Sequence, residues 1–288
     1  MRIGSLCSGY GGLDLAALAV FDGDVSWFSD ISAPAVMAYL HHWPNTRNLG
    51  DIRHVDWRSV DPVDVLVAGY PCQPFSLAGK RRGVDDERHL WPAVAEAIRV
   101  IGPRFVILEN VSGHRSQGFG DVQSDLAALG FDAAWGSVRA SDVGAPHTRD
   151  RLFVVAVAAT AVADPTGVGR YARRVSNSGN STPHGGGASE PERVRGERVD
   201  WGRWSDAIAS WERGAARSAP PPVAPNGLAN PAFHEWMMGL PSGFVTAVPG
   251  LSRAQVIQLL GNGVVPQQAE TAIRELLGVL SAARGQAV

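Results

Sequence analysis

Cys72 sits in Gly69-Tyr70-Pro71-Cys72-Gln73-Pro74-Phe75-Ser76, directly after the apolar run DVLVA that ends at Ala68. Pro71 fixes its own φ and Pro74 restrains Gln73, so the thiol is held on a backbone with few alternatives. A thiolate is the strongest common nucleophile among side chains, and one placed just beyond a buried strand suits covalent catalysis. Glu109 ends a second apolar run, RFVILE, and is expected on the same rim as Cys72. Arg149 and Arg151 alternate on the approach to LFVVAV and therefore share one side of an extended segment. Cys7 lies inside the first strand candidate with no base or metal partner nearby in sequence, and reads as structural.

A second set of residues has the types that hold an adenosine. Ser8-Gly9-Tyr10-Gly11-Gly12 follows a strand candidate, Arg2 to Leu6, and precedes a helical LDLAALAV that starts at Leu13. Glycines there permit positive φ and close approach of the backbone, and a helix N-terminus favours negative charge. Asp30 follows the second strand candidate, 18 residues beyond Gly12, where an acid holds ribose hydroxyls; Asp51, in LGDIRHV, ends another connection on the same edge. These features fit an adenosine-containing cofactor and do not separate a nicotinamide dinucleotide from S-adenosylmethionine.

The elements that must position these groups alternate. Val25 to Phe28, DVLVA, RFVILEN and DRLFVVAVA read as strands. APAVMAYLHHW, LWPAVAEAIRVI and GDVQSDLAALG read as helices, the last closed by Gly130. This rhythm gives an α/β fold with a mainly parallel sheet, whose ligands sit beyond the carboxyl ends of the strands. The expected division is a first catalytic and cofactor-binding part over 1–162, a small inserted domain over 163–249 with a flexible loop at 176–191, and a segment over 250–288 that returns to the first part.

Composition bounds the rest. The chain has 288 residues, 45% hydrophobic and 19% charged, enough for one large or two modest domains with an ample core. Net charge is −2, so no global basic field announces a nucleic acid. Basic residues are one-sided, since Lys80 is the only lysine among 26, and residues 165–228 carry nine arginines against six acids. Two cysteines make neither a metal site nor a disulfide framework, and no metal is expected. MRIGSLCSGYGG lacks the apolar core of a signal peptide, and LFVVAVAATAVA is too short to span a bilayer. The expectation is a cytoplasmic protein with no membrane partner, acting as a monomer.

Six segments in order carry a resemblance to the DNA (cytosine-5)-methyltransferases: SLCSGYGG, WFSDIS, GYPCQPFSLAGKRRG, ENV at 109–111, VGAPHTRDR and QLLGNGVVP. The resemblance covers nearly all of the chain except the middle. It implies a Rossmann-like methyltransferase domain, S-adenosylmethionine as cofactor with S-adenosylhomocysteine as product, and double-stranded DNA as substrate. It leaves the setting open between a functional partner of a cognate restriction endonuclease, phage self-protection and a solitary regulatory enzyme. Cys72 would attack carbon 6 of a flipped cytosine and Glu109 would meet nitrogen 3. Arg151 would hold the carbonyl side of the base, and Arg149 would lie against nearby backbone and acidic groups. Leu6, Ser8, Gly9, Gly11, Gly12, Leu13, Asp30, Ile31, Asp51, Ile52, Gly69, Pro71, Asn262 and Gly263 would form the cofactor site. Ser76, Lys80, Arg81, Arg82 and Arg88 would face DNA phosphates, and the arginine-rich middle would read sequence. Two departures stand out. His147 replaces a more usual glutamine, and Gly263 a more usual small residue, which is expected to leave binding intact.

Overall fold

A computed structural model of the chain describes residues 1–71, 90–116, 118–159 and 199–285. Among these, seven strands form one sheet in the order β3-β2-β1-β4-β5-β7-β6. They are β1 (Arg2–Leu6), β2 (Asp24–Ser29), β3 (Arg47–Asn48), β4 (Val65–Ala68), β5 (Phe105–Val111), β6 (Phe131–Arg139) and β7 (Asp150–Ala158). β1 to β5 pair in parallel, and β7 runs antiparallel to both β5 and β6. The expected α/β fold with a mainly parallel sheet is therefore present, with one reversed strand.

That reversal matters for chemistry. The carboxyl ends of β1, β2, β4 and β5 define one rim, and an antiparallel β7 brings its amino end to the same rim. Register fixes this, since Arg151 pairs with Val111, two residues past Glu109. The chain winds outward from β1 through β2 to β3, then crosses to β4 on the other side. The switch between β1 and β4 opens the crevice in which such sheets bind ligands.

Eight helices among the described residues complete the frame: α1 (Gly12–Phe21), α2 (Ala33–His42), α3 (Trp91–Ile101), α4 (Phe119–Ala128), α5 (Ser205–Ala215), α6 (Pro231–Met237), α7 (Arg253–Asn262) and α8 (Pro266–Gly285). β4 is buried along its whole length, as a strand covered on both faces must be. One face packs through Leu66, Val106 and Leu108 against Trp91, Val94 and Ile98 of α3 and Val122 and Leu126 of α4. The other packs through Val65, Val67 and Ile107 against Leu13 and Ala17 of α1 and Ala272 and Ile273 of α8. Gly102 and Gly130 close α3 and α4 at φ values of 60° and 81°, a left-handed turn that glycine adopts cheaply. None of the helices searched is long and apolar enough to cross a membrane.

β6 is absent from the pattern read in the sequence. FDAAWGSVR holds two alanines and a glycine, poor strand formers, and its alternate residues are exposed at the sheet edge. Its pairing with β7 supplies what local propensity does not.

Residues 199–249 share a hydrophobic cluster with the rest of the chain. Trp211, Trp236, Leu240 and Val245 pack with Tyr10 of the first glycine turn, Ala35 and Ala38 of α2, and Leu259 and Leu260 of α7. Trp236 is wholly buried, and the indole of Trp211 donates to its carbonyl at 2.9 Å. Glu235, next to it, is 1% exposed. Its carboxylate accepts from the N–H groups of Gly243, Val245 and Thr246 at 2.6–2.8 Å and from the Thr246 hydroxyl at 2.9 Å. Glu235→Ala would take the acceptor from the buried Val245 N–H and from three part-buried donors, at about 1–3 kcal/mol for a buried group left unsatisfied. A loss of about 2 kcal/mol in chemical denaturation is expected on that basis; an unchanged midpoint would contradict it. Segment 176–191, expected as a flexible loop, lies outside the described residues. Of the nine arginines in 165–228, Arg203, Arg213 and Arg217 are described. Arg217 is occupied by the Leu240 carbonyl, at 3.0 Å.

Candidate active site and cofactor cleft

The crevice at the switch point is a cleft of about 440 Å³. Of the residues expected to hold a cofactor, Gly9, Asp30, Ile31, Asp51, Ile52, Gly69, Pro71, Asn262 and Gly263 line it. Leu6 and Leu13 instead face the two cores that flank the sheet. Ser8 donates its backbone N–H to the Ser29 carbonyl at 3.4 Å, tying the loop to β2. Gly11, at φ 87°, caps α1, and a side chain on it would run into Trp43. Gly12 lies so close to the Val264 carbonyl that no Cβ fits.

Asp30 holds the loop and faces the cleft. One carboxylate oxygen accepts from Gly9 N–H at 2.9 Å and the other from Ser32 N–H at 2.8 Å. Asn48 braces it from behind, accepting from Asp30 N–H and donating to the Asp30 carbonyl. Each Asp30 oxygen keeps lone-pair capacity for a further donor, such as a ribose hydroxyl. Burial raises its pKa against the pull of these N–H groups. Asp51 is differently placed. Arg53 grips its carboxylate at 2.6 Å, and that contact holds its pKa down to about 2. Asp30 is thus the acid left to meet hydroxyls. Ile31, 72% exposed, Ile52 and Leu259 offer the cleft apolar surface for a flat ring. The donor set fits an adenosyl group: a close glycine backbone, a carboxylate with free lone pairs, and apolar walls. Ser29, Ser32, Gly50, Arg53 and Leu259 also line the cleft; they lie inside WFSDIS, LGDIRHV and QLLGNGVVP, where nothing in their type singles them out from their neighbours.

Cys7 lines the same cleft with φ at 54°. Burial, with the charges of Asp30 and Asp51, pushes its thiol up to about 12. A thiol so held is not a thiolate near neutral pH and is a poor nucleophile.

Cys72, Ser76, Lys80, Arg81, Arg82 and Arg88 lie outside the described residues. The two residues that flank this stretch, Pro71 and Leu90, both line the cleft. Tyr70 is buried, and Asn110 Nδ2 donates to its carbonyl at 3.0 Å, fastening the turn before Cys72 to the end of β5.

Glu109 stands at that end, 8% exposed. Arg151 Nε donates to its Oε1 at 3.0 Å, while Oε2 faces Gly69, about 3.8 Å from where a side chain there would begin. Burial raises the Glu109 pKa, and the charges of Arg151 and Arg149 work against that rise. Arg149, two residues away on β7, turns elsewhere. Its Nη1 and Nη2 donate to the carbonyls of Gly261 and Gly263 at 2.8 and 2.6 Å. Arg149 thus lies against backbone, as the resemblance implies, and the backbone it meets is the wall of the cleft. His147 bonds through Nε2 to the Met237 carbonyl at 3.0 Å, so that nitrogen carries the proton. Burial lowers its pKa, which favours the neutral ring.

One sequence expectation changes here. Gly263 is expected from the sequence to be interchangeable with another small residue, but its Cβ position is filled by the Tyr10 ring.

Comparison with known proteins places this geometry. The chain is 32% identical over 164 residues to the Type II methyltransferase M.HgiCII of Herpetosiphon aurantiacus, which covers 54% of this chain and 37% of that protein. It is 31% identical over 163 residues to the Type II methyltransferase M.Bsp6I of Bacillus sp. strain RFL6, covering 54% and 51% respectively. The chain thus spans about half or less of the length of these relatives. In fold it is similar to the S. pombe Dnmt2 methyltransferase, with a TM-score of 0.66 at 17% identity over 97% of this chain and 99% of that one. The family model for C-5 cytosine-specific DNA methylase matches residues 1–179, well over half of the sequence, and carries both the glycine turn and the Glu109–Arg151 rim. The chain belongs to the C-5 cytosine-specific DNA methylase family.

Proposed function

We propose that this chain transfers a methyl group from S-adenosylmethionine to carbon 5 of cytosine in double-stranded DNA, through a covalent bond between Cys72 and carbon 6 of a flipped base. The observation that carries this reading is the buried Glu109–Arg151 pair, set on the rim where Pro71 delivers the chain to Cys72. S-adenosylmethionine supplies an electrophilic methyl group when bound.

Carbon 5 of cytosine is too weak a nucleophile on its own. Addition of the Cys72 thiolate at carbon 6 forms a C–S bond and pushes an electron pair through the ring toward nitrogen 3. Glu109 meets that charge with a proton, for which it must be protonated beforehand. Burial of its carboxyl works in that direction. Arg151 fixes the carboxyl by holding Oε1, leaving Oε2 on the side of Gly69. Carbon 5 is then enamine-like and takes the methyl group as the bond from that methyl to the sulfonium sulfur breaks, leaving S-adenosylhomocysteine. Loss of the carbon 5 proton and cleavage of the C–S bond regenerate the aromatic ring and the thiolate. Nitrogen 3 returns its proton to Glu109.

Asp30 binds the ribose of the cofactor, and Gly9 and Gly69 let its chain pass close to the backbone. Cytosine must leave the stack to reach this rim, at about a few kcal/mol. Ser76, Lys80, Arg81, Arg82 and Arg88 meet phosphates in that state, and the arginine-rich middle reads sequence. The names of the curated relatives support a modification role beside a cognate restriction endonuclease.

The test is label transfer from tritiated S-adenosylmethionine to duplex DNA or to tRNA, followed by digestion to nucleosides. The label is expected in 5-methyl-2′-deoxycytidine. Label confined to RNA, or found on an exocyclic amine, would overturn the assignment.

A further inference from the structure

Tyr10 is wholly buried between two positions that have no side chain. A Cβ on Gly12 would lie 2.8 Å from Tyr10 Cε2, and one on Gly263 would overlap Cε1. Gly263 has φ −76° and ψ −177°, a conformation open to any residue, so glycine is required there for space and not for backbone freedom. The Tyr10 hydroxyl donates to the Val264 carbonyl at 2.6 Å. Arg149 takes the carbonyls of Gly261 and Gly263 from the other side. Three of four successive carbonyls in Gly261–Val264 are thereby tethered, and the residues between the tethers, Asn262 and Gly263, line the cleft. The tethers come from sequence positions more than 100 residues away. Locally, α7 runs to Asn262 and the Gly263 N–H donates to the Leu259 carbonyl at 2.9 Å, while the carbonyls of Gly261, Gly263 and Val264 are held by these distant side chains.

We propose that Tyr10 and Arg149 are positioning residues for the cofactor, and that the match between the Tyr10 ring and the missing side chain of Gly263 sets the affinity of the cleft for an adenosyl ligand. This rests on the reading of the cleft as an S-adenosylmethionine site. Arg149 also joins the two halves of the reaction. It sits two residues from Arg151, which holds Glu109 at the base side, and grips the wall of the cofactor side.

The experiment is calorimetric titration with S-adenosylhomocysteine, each variant measured well below its own unfolding transition. Gly263→Ala should bind about tenfold more weakly or worse, because the ring or the wall must move, a loss equal to about 1.4 kcal/mol. Removing the ring should cancel much of that effect. Tyr10→Val with Gly263→Ala should bind within about threefold of Tyr10→Val alone, the non-additivity expected of residues in contact. Tyr10→Phe keeps the ring and is the conservative variant if Tyr10→Val does not fold; on it, Gly263→Ala should be as damaging as on wild type. Arg149→Lys reaches one carbonyl instead of two, and should weaken S-adenosylhomocysteine binding several-fold. Wild-type affinity in Gly263→Ala, or strict additivity in the pair, would overturn the proposal. If wild type itself fails to bind, the cofactor reading falls instead, and the same coupling read in unfolding midpoints decides the ring-to-glycine match.

Discussion

Cys72→Ala is expected to lower methyl transfer at least about a thousandfold, a loss of about 4 kcal/mol in transition-state stabilisation. The substitution removes the sulfur proposed to add to carbon 6 and changes none of Asp30, Glu109 and Arg151. Affinity for S-adenosylhomocysteine and the unfolding midpoint should therefore stay at wild-type values. Cys72→Ser should be nearly as inactive, since a hydroxyl is a far weaker nucleophile at neutral pH. Cys7→Ser is the natural control. Its thiol, pushed up to about 12 by burial and by Asp30 and Asp51, is not a thiolate near neutral pH, so the variant should keep activity within a few-fold. Steady-state kinetics on duplex DNA measure all three. Full activity in Cys72→Ala, or loss of turnover in Cys7→Ser at unchanged cofactor affinity, would contradict the assignment.

Glu109→Gln should cost about a hundredfold to a thousandfold, the usual scale for a positioned general acid. The amide can still accept from Arg151 Nε, so the rim should survive, but it has no proton to give. The pH dependence gives a sharper sign. In the proposed mechanism Glu109 works when protonated, and burial raises its pKa above that of an ordinary glutamate. Its working form therefore dominates below that raised value and is lost as pH climbs through it, so kcat should fall on the alkaline side. Glu109→Gln should show a low rate without that falling limb. A variant that kept the limb would assign it to another group, and one with wild-type rate would remove Glu109 from the chemistry.

Much of this site is legible in the sequence because its parts are local. A glycine turn after a strand, an acid after the next strand and a cysteine after DVLVA each sit beside the element that positions them. The sheet order then brings these strand ends to one rim. What the sequence hides depends on distance. The Arg149 tethers to Gly261 and Gly263 join residues 112 and 114 positions apart, and no pattern around either end signals the other. The same is true of Tyr10, whose ring could be taken for an oddity in a glycine loop until Val264 is seen to accept from it across 254 positions. Asp51 shows the opposite failure. Its position in the cleft follows from the strand rhythm, but Arg53, two residues on, takes its carboxylate. β6 is hidden for a third reason. An alanine- and glycine-bearing edge strand has little intrinsic preference and exists because β7 is there to pair with. Nothing beside Glu235, between His234 and Trp236, marks it in the sequence, and only the folded loop 243–246 makes it a buried acceptor.

The covalent step can be trapped. In duplex DNA that carries 5-fluorocytosine at the target, methylated carbon 5 holds a fluorine where a proton should leave, so elimination stalls and the C–S bond persists. Incubated with such DNA, the wild-type protein should form a denaturation-resistant adduct only when S-adenosylmethionine is present. Peptide mapping should place it on Cys72. An adduct on Cys7, an adduct formed equally by Cys72→Ala, or methyl transfer to ordinary cytosine with no adduct on the fluorinated duplex would contradict covalent catalysis by Cys72.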